Sequence, residues 1–161
     1  MALGDRYQEN ARKAAAELVG EEVLMVAFGS RAGAMNSVIA GQVLRGGESA
    51  MGGDGITGVS MPGGAIERDG AKQTRLPMNF MLVVTPAHIH VYKHKMLWGT
   101  VKVKGELGVF ARDGLEVTTE DRGMTKQFML RSPASGEQMA FEMTKHRVTT
   151  ELAELLQRPP G

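Results

Sequence analysis

Four lysines recur at two-residue spacing in two neighbouring stretches, Lys93 and Lys95 in VYKHK and Lys102 and Lys104 in TVKVK. Side chains two apart on an extended chain share a face, so each stretch turns two cations to one side. If the stretches pair as strands, the four converge on a site for a phosphate-bearing ligand or an acidic membrane. Against acidic lipid, each near-surface basic residue contributes about 1 kcal/mol. From Ala71 to Gly105 the chain carries no Asp or Glu, while Lys72, Arg75 and three histidines fall there. Arg75 is therefore the fifth candidate. Lysines also keep exposed strand edges from pairing with other chains, and that plainer role predicts the same residues.

His88, His90 and His94 have one parity on an extended segment, and imidazoles at i and i+2 can chelate a metal ion. No carboxylate or cysteine lies near in sequence to complete a shell, and His146 is distant. The reading is therefore an outward polar face, with Ile89 and Val91 turned to the core, and no metal or other cofactor is assigned. Charging beside the lysines below about pH 6.5, these histidines would raise anion binding in acid.

Three further motifs lead to no chemistry. The stretch GDGITG, Gly53 to Gly58, spells a dinucleotide-binding pattern, but that pattern needs a strand before it and a helix after it to seat a pyrophosphate on backbone amides. GGESAMG precedes it and VSMPGG follows, and neither qualifies. Gly58-Val59-Ser60-Met61 approaches a nucleophile elbow, with Pro62 where glycine is required. Glu120-Asp121 reads as a hydrated pair in a turn. No catalytic residue is assigned, and the chain is not expected to be an enzyme.

The elements that must position the lysines follow from periodicity. DRYQENARKAAAELV predicts a helix over about 5–19, with Tyr7, Ala11, Ala14, Ala15 and Leu18 on one side and Gly20 as its stop. VLMVAF predicts a first strand over about 22–28, buried on both faces. SRAGAMNSVIAGQVL is a weak helix, interrupted by glycines, with the makings of a surface-docking segment. About 46–75 is dense in glycine and reads as a flexible insertion. The main antiparallel strands fill about 78–143, starting with NFMLVV and HIHVYKHK joined at Pro86-Ala87. Met78, Met81, Met129, Met139 and Met143 would fill gaps in their core. Val148, Leu152, Leu155 and Leu156 form the apolar stripe of a closing helix over about 146–157.

The expected fold class is β-rich α+β, a split antiparallel barrel with an N-terminal helix and a C-terminal capping helix. LPMNFMLVVTPAHIHVYKHK, with Leu82-Val83-Val84-Thr85-Pro86 followed by Ile89-His90-Val91-Tyr92, resembles a hairpin of the bacterial pleckstrin-homology-like superfamily, which includes GRAM-type domains. A glycine- and alanine-rich stretch ahead of that hairpin is similar to the pattern in actinobacterial members. The resemblance spans about the last 85 residues and the first strand. It implies a non-catalytic binding or scaffolding module and carries over no catalytic residue. Some pleckstrin-homology domains bind phosphoinositides through basic residues around their early strands.

Composition sets the bounds. At 161 residues with a formal charge of +1, the chain suits one domain and has no overall field for nucleic acid. Its lack of cysteine excludes disulfides and thiol catalysis. The polar start, with no apolar h-region, gives a cytoplasmic expectation. The leading expectation is a module for a protein partner. An anionic-lipid or phosphate-ligand binder through the lysine face is the alternative, and a nucleotide-using enzyme is third.

Overall fold

The computed structural model describes residues 3–32, 65–67, 73–98 and 100–158. Helix α1 (Leu3–Val19) ends at Gly20, whose φ of 65° is the left-handed conformation that closes a helix. Alanine at positions 11 and 15, both fully buried, lets the helix backbone lie close to the sheet. Leu18 does not join that face; it is exposed, and Val19 packs inward instead.

Among the described residues nine strands follow: β1 (Met25–Arg31), β2 (Ala65–Glu67), β3 (Gln73–Arg75), β4 (Asn79–Val84), β5 (His88–Leu97), β6 (Thr100–Ala111), β7 (Glu116–Arg122), β8 (Thr125–Arg131) and β9 (Gln138–Thr144). Helix α2 (Arg147–Gln157) closes the order. Seven strands make one antiparallel sheet in the order β7-β8-β9-β1-β4-β5-β6. The β2–β3 ribbon joins β9 at Glu67 and Gln138, beyond the end of β1. No pairing joins β6 to β7 among the described residues, so the sheet stays open.

Two expectations need correction here. The first strand starts at Met25 and runs on to Arg31, three residues later than expected at each end. Part of the expected insertion over 46–75 is paired strand, because β2 and β3 return to the sheet. The rest of that segment, including GDGITG and GVSMP, lies outside the described residues, as does most of the weak helix expected over SRAGAMNSVIAGQVL, whose first two residues, Ser30 and Arg31, belong to β1.

Both faces of the sheet carry apolar packing. On one, Phe80, Leu82, Ile89, Val91, Phe110, Phe128 and Phe141 meet Leu152 and Leu156 of α2. On the other, Val26, Val83, Tyr92 and Val101 meet Ala11 and Ala15 of α1. Met81, Met139 and Met143 are buried as expected, while Met78 is exposed. Among the described residues no helix is long and apolar enough to cross a membrane.

Gly29 sits where two rings leave no room. A Cβ there would lie 3.1 Å from both Phe80 and Phe141, and those rings are themselves packed edge to face at 6.0 Å. Overpacking a filled core costs about 1–3 kcal/mol. Gly29→Val is therefore expected to destabilise the fold by that amount, read as a lower urea midpoint with an unchanged slope.

Candidate functional site

The β5–β6 hairpin outruns the sheet. β4 pairs with β5 only from Val84–Ile89 to Met81–Tyr92, whereas β6 follows β5 to Leu97–Thr100. From Lys93 onward, β5 has no ladder partner but β6 among the described residues. The ribbon therefore projects, and its two faces differ.

One face of the projection is supported by α1. His94 packs on Phe28 with ring centroids 5.2 Å apart, Phe28 packs on Tyr7 at 5.5 Å, and Val101 is buried beside them. The opposite face carries the lysines. Lys95 and Lys102 are a direct cross-strand pair, and Lys93 shares their side by the two-residue period. Lys104 falls in the second of two register shifts, between the partners of Lys93 and His94. All four are exposed, and no carboxylate among the described residues lies in ion-pair range of any of them. Like charges directly opposite on a ladder repel, so the fold bears a small cost to keep Lys95 facing Lys102.

At the tip, Met96, Leu97 and Trp98 are all exposed, and Trp98 completely so. Trp98 has a φ of 52°, the one left-handed residue other than glycine among those described. A two-residue hairpin loop demands that conformation, but asparagine, aspartate or glycine meets it at lower cost than a bulky ring. The ring stands fully in solvent.

Arg75, the fifth sequence candidate, ends β3. Leu76 and Pro77, just after it, line a shallow cleft with Lys93 and Leu107. The chain there runs beside the lysine face, while the Arg75 side chain lies outside the described residues.

The histidines are not a free outer face. His88, His90 and Tyr92 lie in a row on the α1 side at centroid spacings of 5.7 and 6.0 Å, with His88 tilted on His90 and His90 stacked on Tyr92. They lie across the sheet from Lys93, Lys95 and Lys102, so the expected gain in anion binding on protonation loses its basis. Glu21 stands 3.1 Å from His88 and Glu106 3.2 Å from His90, two carboxylates that sequence proximity does not reveal. The Glu21 carboxyl is held below its usual range, first by the Thr85 hydroxyl beside it and then by His88 and His90. The Tyr92 hydroxyl is pushed up to about 12, mainly by burial and then by Glu106.

Burial pushes His94 down, and among the described residues its Nδ1 has no hydrogen-bond partner. The unfolded chain thus takes up a proton near pH 6.5 that the folded one resists, so stability is lost as pH falls below about 6.5. His94→Leu is expected to gain melting temperature relative to the parent between pH 7.5 and pH 5, in paired thermal scans at roughly those values. A constant difference would contradict the burial argument.

Glu120 and Asp121 lie in β7 and not in a turn. Glu120 pairs with Arg122 at 3.0 Å, and Asp121 with Lys126 at 2.9 Å and Lys145 at 3.7 Å. Comparison with known proteins finds no family model that matches this chain and no matching curated protein.

Proposed function

We propose that this chain is a non-catalytic binding module that docks on an anionic lipid surface through the β5–β6 hairpin. One observation carries the reading: a fully exposed Trp98, flanked by exposed Met96 and Leu97, caps a projecting ribbon whose open face bears Lys93, Lys95 and Lys102. Edge protection accounts for lysines on β6, but not for an indole displayed at the tip. Tryptophan favours the headgroup level of a bilayer, where its ring is half solvated, and the lysines behind it would meet the acidic headgroups.

The pleckstrin-homology-like reading of the fold belongs to this proposal. The order β7-β8-β9-β1-β4-β5-β6, with α2 packed into the core of an open sheet, supports a split barrel of that kind. A hairpin reading anionic lipid also suits cytoplasmic residence, since the cytoplasmic leaflet carries the negative surface potential.

Sedimentation with vesicles of phosphatidylcholine alone, or with phosphatidylserine added, tests the proposal across a salt series. Binding that requires the acidic lipid and weakens as salt screens it is expected. A protein partner at the same tip becomes the better reading if the vesicles leave the protein in solution at low salt.

A further inference from the structure

A second site lies across the sheet from the lysines, at the junction of α1, β1 and β5. Leu24 N–H donates to Val84 O at 2.8 Å, which brings the α1–β1 connector alongside the β4–β5 turn. That turn is fixed by Thr85, whose hydroxyl accepts from the His88 N–H at 2.9 Å. Glu21 consequently meets His88 and His90, and one ligand atom from each lies within 4.8 Å of the other two.

We infer that Glu21, His88 and His90 form a binding site for a first-row divalent transition-metal ion, with zinc as the representative. Two imidazoles and a carboxylate are a zinc ligand set that leaves a fourth position open. With bonds of about 2.05 Å, a tetrahedral ion spaces its ligands about 3.3 Å apart. The Glu21 Oε1 to His88 Nδ1 separation of 3.1 Å already matches that spacing.

Two features separate this cluster from an ordinary surface pair. Among the described residues, Glu21 Oε2 and His90 Nε2 are both enclosed with no hydrogen-bond partner, an unfavourable state for buried polar atoms. A bound cation would satisfy both. Glu106 supplies the second feature. An ionised carboxylate only accepts, so the neutral His90 ring puts its proton on Nδ1 toward Glu106 and leaves the Nε2 lone pair free. A carboxylate behind a ligating histidine is how metal sites fix the tautomer and orient the ring. Magnesium and calcium favour all-oxygen shells, so the two imidazoles argue against both.

Isothermal titration of the metal-free chain with zinc chloride tests the site. One ion per chain is expected, with no heat from magnesium chloride. The melting temperature should rise by about 5 °C or more at a hundredfold excess over Kd. His90→Ala and Glu21→Gln should each abolish the one-to-one binding. Glu106→Gln keeps all three ligands and should weaken it by about 10–100-fold. Nitrogen NMR of the unaltered chain guards against variants that misfold. Zinc should move the His88 and His90 ring signals together at one equivalent and leave His146, the N-cap of α2, in place. A lack of stoichiometric binding, or binding that survives in a folded His88→Ala/His90→Ala chain, overturns the inference.

Discussion

Reversing Lys95 and Lys102 together to glutamate is expected to abolish vesicle binding while leaving the fold intact. At about 1 kcal/mol for each basic residue near an acidic surface, losing two costs about 2 kcal/mol, and two new carboxylates add repulsion of similar size. The sum corresponds to a roughly 10³-fold loss of affinity. The folding cost runs the other way. Lys95 opposes Lys102 directly, so Lys95→Glu alone turns a repulsive pair into an attractive one and should be neutral or slightly stabilising. A control with the same change in net charge, Arg131→Glu/Arg147→Glu, alters β8 and α2 and spares the hairpin. It should retain most of the binding. Equal losses in both variants would mean that only total charge matters.

The largest expected effect on stability belongs to Arg112. This side chain is 6% exposed, and among the described residues it has no acidic partner. Its guanidinium donates to three carbonyls, Thr85 O at 3.1 Å, Pro86 O at 3.3 Å and Leu155 O at 3.0 Å. Those bonds tie the β4–β5 turn and the last turn of α2 to the end of β6. The contact at Leu155 also sets a positive charge at the C-terminal, negative end of the helix dipole. Arg112→Ala leaves buried acceptors without donors, and a destabilisation of about 3 kcal/mol follows. For a chain of this length that is a drop in melting temperature of roughly 6–12 °C. Arg112→Lys should recover only part of it, because a single ammonium lacks the planar fork that reaches three carbonyls. A loss below about 1 kcal/mol for Arg112→Ala would remove the clamp from this account.

Much of the scaffold was legible because it depends on local period. The alternation in TVKVK predicts Val101 inward and Lys102 outward, and both sit so. The Leu152 and Leu156 stripe of α2 is buried as its spacing implies. The histidine face was misread because Ile89 and Val91 satisfy one core, and nothing local announces that α1 builds a second across the sheet. Glu21 stayed hidden for a related reason: it is 67 residues from His88, and only the closure of β1 on β4 joins them. Trp98-Gly99 did carry a signal, a turn-forming pair between two alternating runs. Arg112 had no signal at all, since a charged residue after a strand ordinarily faces water.

Trp98 is the only tryptophan in the chain, so its fluorescence reports the docking element without a label. Titration of the unaltered protein with vesicles containing phosphatidylserine is the most direct measurement. The Trp98 emission should shift to the blue as the indole leaves water, salt should reverse the shift, and phosphatidylcholine vesicles should produce none. Emission that stays at its exposed, red position while the protein sediments with acidic vesicles would contradict docking through the hairpin, because binding would then use another surface.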